Sequence, residues 1–228
     1  MLNGRYAMLL LKEAIKNLPA DVTLHQFCDH ATQSISTVYD QHDISRDRLV
    51  EHPEERLTAS LCIYSRYREE IWMIGDCQCL CNGRYYDNPK PHEAPAARRR
   101  STLIREFLSN GSNSISQLLA HDYARDAILG DIVESCHHQN VDFSVVDGFP
   151  VAMEKTVTID ARTTGDIILA TDGYPFLHPT LNESERALAQ QLSTDPLCYQ
   201  NFFATKGMVD GNVSFDDRAY VRFCLQAC

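Results

Sequence analysis

Glu70-Ile71-Trp72-Met73-Ile74-Gly75-Asp76-Cys77-Gln78-Cys79-Leu80 is the stretch whose reading decides the fold. Ile71 to Ile74 are apolar at consecutive positions, so an extended strand there is hydrophobic on both faces. A half-exposed strand would alternate, because successive side chains point to opposite sides of a sheet. A strand of this kind needs cover on both sides, which places it between two layers. Upstream, Leu57 to Tyr64 is a second short apolar run, and Ser65-Arg66-Tyr67-Arg68 between the two reads as a hairpin turn.

The chain on either side supplies the cover. Ala7, Leu11, Ala14 and Leu18 recur at spacings of four and three, which puts them on one face of a helix that Pro19 closes. Thr23 with Gln26 forms a capping-box pattern, and Leu24, Cys28, Ala31, Ile35 and Val38 repeat the helical spacing. Residues 41–56 are polar and charged and read as a loop. Residues 94–140 return to helical character, with a break expected at Asn110-Gly111-Ser112. Val141 to Val146, Thr156 to Ile159, Asp166 to Thr171 and Ala219 to Leu225 read as strands. One further helix is expected from Asn182 to Leu192, ending near Pro196. Helices, strands, helices, strands in that order give an α+β layered protein, expected as one domain over residues 1–228.

Composition narrows the function. A net charge of −10 argues against a nucleic-acid surface, which needs clustered Lys and Arg to neutralise phosphates. No stretch approaches the roughly 18 apolar residues of a membrane span. The apolar run Ala7 to Leu11 is followed at once by Lys12 and Glu13, unlike a secretory leader. Nine scattered cysteines without such a leader read as reduced thiols in a cytoplasmic protein.

Three acidic positions stand against apolar strands: Asp76 after Trp72 to Gly75, Asp172 after Asp166 to Thr171, and the pair Asp216-Asp217 ahead of Ala219 to Phe223. A carboxylate held at the end of a buried strand is costly unless something positive compensates it, and hard divalent cations prefer such oxygens. An Asp followed by Gly is also an ordinary turn, so the pattern of each position alone leaves both readings open.

The wording of the three positions carries more. Ile74-Gly75-Asp76-Cys77-Gln78 resembles the Gly-Asp strand of PPM/PP2C protein phosphatases. Ile168-Leu169-Ala170-Thr171-Asp172-Gly173-Tyr174 resembles that family's Leu-Ala-Ser/Thr-Asp-Gly motif, and Phe215-Asp216-Asp217-Arg218-Ala219-Tyr220-Val221 its closing strand. They occur in the family's order, and the resemblance spans about residues 1–90 and 141–228. It implies a four-layer α-β-β-α sandwich. It also implies a Ser/Thr phosphoprotein phosphatase, a phosphoric monoester hydrolase that uses two or more Mg²⁺ or Mn²⁺ ions to activate water against a phosphoprotein or small phosphomonoester. By matching motifs, Asp172 with Gly173 and Asp216 belong to the core metal site. Asp76, with Asp172, serves a further ion, and Asp217 and Thr171 lie just behind these ligands.

The chain departs from the family's pattern in three ways. The family opens with a strand, a phosphate-contacting Arg and an Asp-Gly whose carboxylate bridges two metals, whereas Met1 falls where the following helix begins. The expectation is therefore an N-terminally incomplete sandwich, with a longer natural protein or a catalytically weak one. Asp147-Gly148 falls too late to substitute and reads as a turn between strands. The third motif's Thr is Ala219, and residues 94–140 form a helical insertion. A pseudophosphatase that binds partners through those helices is the alternative reading.

Other features read as structure. Cys77, Cys79 and Cys81 alternate along one strand and read as small buried hydrophobes. His137-His138 reads as a solvated helix end, and Arg98-Arg99-Arg100 as a solvated helix face.

Overall fold

The computed structural model describes residues 3–162 and 165–225. The first hairpin joins β1 (Leu61–Ser65) to β2 (Glu70–Ile74), and β5 (Val157–Asp160) completes an antiparallel sheet in the order β1-β2-β5. The run that starts at Glu70 does not stay in that sheet. At Gly75 it turns, with φ +83°, and Gln78–Cys81 continues as β3 in a second antiparallel sheet, ordered β4-β3-β6-β7. There β4 is Arg84–Asp87, β6 is Gly165–Ala170 and β7 is Tyr220–Leu225. Gly75 is required twice over: its φ is one that side chains disfavour, and a Cβ would stand 2.2 Å from the Ser60 hydroxyl.

The doubly apolar strand is buried as its composition demands. Ile71 and Met73 face the second sheet, packing with Cys77, Cys79, Cys81, Ile159 and Ile167 in the interior of the sandwich. Trp72 and Ile74 face the other way, into a core built by the first two helices. These are α1 (Asn3–Lys16), which buries Ala7 and Leu11, and α2 (Leu24–Gln41), which buries Cys28, Ala31, Ile35 and Val38. Thr23 and Gln26 form the expected capping box. On the far side, Tyr174 meets the outer face of the second sheet, its ring edge-on to Tyr220 at 6.0 Å. The Gln78 amide donates to the carbonyls of Thr171 and Tyr174. Among the described residues, no helix is long and apolar enough to cross a membrane.

Several expectations need correction. The polar segment 41–56 holds a helix, α3 (Arg46–Glu51), capped by Ser45 and anchored by Leu49. Its charge does not prevent this, because Arg48 pairs with Glu55 at 2.6 Å and Arg46 donates to the Gly148 carbonyl. Val141 to Val146 is not a ladder strand. It makes only isolated bridges, Gln139 with Phe143 and Val146 with Ala59, because the Asn140 side chain accepts from the amides of Val145 and Ala152.

The helical stretch is α4 (Glu93–Ser109), α5 (Ile115–Ala120), α6 (Tyr123–Asp126) and α7 (Leu129–His137), with Gly111 at φ +71° in the expected break. The last helix, α8 (Leu181–Thr194), starts one residue before Asn182 because the Thr180 hydroxyl caps it by accepting from the Glu183 amide. Arg100 is the clearest misreading. It is fully buried, with Asp122 at 2.5 Å and the carbonyls of Leu197 and Ala204 as acceptors, while Arg98 and Arg99 remain exposed.

Candidate acidic site

The strand ends deliver the three expected aspartates to one end of the sandwich. Asp76 sits in the crossover between β2 and β3, and its carboxylate accepts from the Ser60 hydroxyl at 2.5 Å. Asp172 follows β6, and Asp216 precedes β7. The ends of β6 and β7 are tied together: the Thr171 amide donates to the Ala219 carbonyl, and the Ala219 amide to the Thr171 hydroxyl. Gly173 lies against the Asp217 carbonyl, where a Cβ would come within 2.3 Å, so the two loops approach only because residue 173 has no side chain. Asp217 itself is exposed and meets the site through its backbone, its amide donating to Asp216 Oδ1 at 2.8 Å.

Two cavities of about 200 Å³ and 190 Å³ open here. One is lined by Asp172, Asp216, Glu93, Lys90 and Lys206, the other by Asp76, Asp172 and Glu93 with Tyr85 and Tyr174. Sequence reading missed Glu93 and both lysines. They carry no local motif, and only the fold brings the start of α4 and the segment before β7 to the strand ends.

Lys90 Nζ stands 2.5 Å from Asp76 Oδ2, and Lys206 pairs with Asp216 Oδ1. Burial opposes ionisation of Asp76, but Lys90 together with the Ser60 hydroxyl and a backbone amide outweighs it and holds the carboxyl below its usual range. Burial likewise disfavours the Lys90 ammonium, yet Asp76, Glu93 and Asp172 raise its pKa. Among the described residues, no ammonium pairs with Asp172. Asp172 is itself exposed at the cavity mouth, but partial desolvation of its carboxyl by the atoms around it, then the charges of Asp76 and Asp216, push it up to about 7. Glu93 is raised by burial in the same cavity.

The site therefore holds four carboxylates, Asp76, Glu93, Asp172 and Asp216, against two ammonium groups. With all four ionised, the surplus of two negative charges equals one divalent cation, and an all-carboxylate donor set suits a hard ion such as Mg²⁺ or Mn²⁺. The aspartates are neighbours without being gathered: among the described residues they do not form a trio of donor atoms within 4.8 Å of one another.

Asp147, in an Asp-Gly pair outside the three motifs, is far from solvent and structural. It pairs with Arg56 at 2.9 Å, accepts from Asn140 and from the Phe149 amide, and its carbonyl accepts from Tyr39. Cys77, Cys79 and Cys81 are buried between the sheets, and the eight described cysteines are free thiols.

No family model matches the chain, and no curated protein does. A solved structure does align. It is the catalytic domain of the serine/threonine protein phosphatase PstP in complex with two manganese ions, which matches over 83% of this chain and 75% of its own, at 12% identity and a TM-score of 0.40. At that identity and score the likeness bears on no residue's role here.

Proposed function

We propose that this chain is a metal-dependent phosphomonoesterase domain of the PPM/PP2C type, acting on phosphoserine, phosphothreonine or a small phosphomonoester. The observation that carries the reading is the surplus of two carboxylates where the ends of β2, β6 and β7 meet the start of α4, with Asp76, Asp172 and Asp216 in the motifs that resemble the family's metal ligands. Asp172 and Asp216 would hold the cation, with Asp76 able to hold another only where Lys90 gives way. A bound Mg²⁺ or Mn²⁺ would lower the pKa of a coordinated water and neutralise charge on the phosphoryl group. The chain's own residues set the frame for this. Gly173 lets the Asp172 loop meet Asp217, and Thr171 fixes β6 to β7.

The reading predicts Mn²⁺-dependent release of phosphate from an aryl phosphate, unaffected by thiol-blocking reagents and lost in Asp172→Asn. Full activity in that variant would exclude this site.

One observation favours a second reading, a binding domain of the same fold without turnover. Lys90 and Lys206 already neutralise Asp76 and Asp216, the positions where cations are expected. That reading predicts no rise in melting temperature with Mn²⁺, whereas the first predicts a clear one.

A further inference from the structure

On the other side of Lys90, the fold assembles a second group of ligands that is not acidic in character. His92 is the boundary residue before α4, His138 the boundary residue after α7, and Asp142 follows one turn later. Both imidazoles direct a nitrogen at the same carboxylate oxygen: His92 Nε2 lies 2.9 Å and His138 Nδ1 2.8 Å from Asp142 Oδ2. The two rings are 4.2 Å apart at 34°, close to stacked. All three donor atoms lie within 4.8 Å of one another, the only such group among the described residues.

We infer that His92, His138 and Asp142 form a binding site for a borderline divalent transition-metal ion of the Zn²⁺ class, distinct from the acidic site. Two imidazoles and one carboxylate are a donor set that selects such ions over Mg²⁺. A tetrahedral ion with bonds of about 2.0–2.1 Å separates its donors by roughly 3.3 Å, so small side-chain rotations suffice to admit it. Without an ion, both imidazoles rest on a single oxygen of Asp142. With an ion, all three groups turn their lone pairs to a shared centre.

The framework around the ligands is fixed. The Asp142 amide donates to the His138 carbonyl at 3.0 Å, and Asn140, at φ +57°, accepts the Val145 amide on its side chain. The residues are half-buried, which leaves an entry path, and a cavity of about 200 Å³ lined by His92, Ser135, Cys136 and Gln139 adjoins them. An ion here would clasp α4 to α7 and fix the segment that carries Lys90 to Asp76.

The test is titration of the full chain with Co²⁺, read by its visible ligand-field absorption. The expected result is one equivalent with the intensity of a four- or five-coordinate ion, displaced by Zn²⁺. The band should be retained in Asp172→Asn, which separates this site from the acidic one, and lost in His92→Asn/His138→Asn. Should that double variant fail to fold, Asp142→Asn decides, with an expected loss of at least about tenfold in affinity. No band in the wild type, an unchanged band in the variants, or a thiolate charge-transfer band showing that cysteines hold the ion would each overturn the inference.

Discussion

Lys90 reaches across from the segment before α4 and places its ammonium 2.5 Å from Asp76, the carboxylate that leads the chain from one sheet into the other. The pair is mostly shielded, with Asp76 9% and Lys90 29% exposed, so each charge depends on its partner. Removing the lysine strands a buried carboxylate. Lys90→Met should therefore lose roughly 3 kcal/mol in urea denaturation, the low end for a broken buried pair because Lys90 keeps some water. Mn²⁺ should restore part of that loss in the variant, since a cation at Asp76 replaces the missing charge. Loss without any recovery would show that Asp76 takes no metal.

Asp172 sets a pH dependence with a defined sign. Folding raises its pKa from the ordinary carboxylate range, about 4, to about 7. The folded state therefore holds this proton more tightly than the unfolded chain does. The stability that this gives is fully present below about 4 and is lost as pH rises through about 7. In EDTA, the wild type should melt at falling temperature across that window, and Asp172→Asn should flatten the fall. At pH 8, Mn²⁺ should raise the melting temperature of the wild type and leave the variant unchanged. An identical pH profile in both proteins would remove Asp172 from the cluster's electrostatics.

How much of this was legible in the sequence depends on the range of the interaction. The sandwiched strand, the capping box at Thr23 and the three aspartates were readable because period, caps and strand ends are local signals. The change of sheet at Gly75 was not, since a Gly-Asp between two short apolar runs does not say which sheet each half joins. Glu93, Lys90 and Lys206 entered the site through tertiary packing alone. Arg100 looked like one of three solvated arginines because its partners, Asp122 and the carbonyls of Leu197 and Ala204, lie far along the chain.

Gly75 tests the crossover directly. A methyl group there meets Ser60 Oγ at 2.2 Å and Ser60 Cβ at 2.6 Å, and the backbone stands at φ +83°. Overpacking and left-handed strain act together, so Gly75→Ala should destabilise by at least about 2 kcal/mol. Adding Ser60→Gly should recover only the steric part. Since Ser60 also donates to Asp76, the double variant should keep a weakened response to Mn²⁺. A stable Gly75→Ala protein would mean that the strand does not turn between sheets here.

Arg100 and Arg99 separate a buried charge from an exposed one on the same helix. Arg100 is fully buried and holds Asp122 at 2.5 Å together with two backbone carbonyls, and Gly207 leaves the space that its guanidinium fills. Arg100→Met should cost about 3–5 kcal/mol, because Asp122 and both carbonyls lose their donor at once. Arg99 pairs with Asp131 in the open, with 55% of its side chain exposed, so Arg99→Ala should stay within about 1 kcal/mol of the wild type. Equal effects from the two substitutions would mean that α4 does not turn Arg100 inward, and would withdraw the packing of α4 against the 197–207 segment that closes the acidic site on that side.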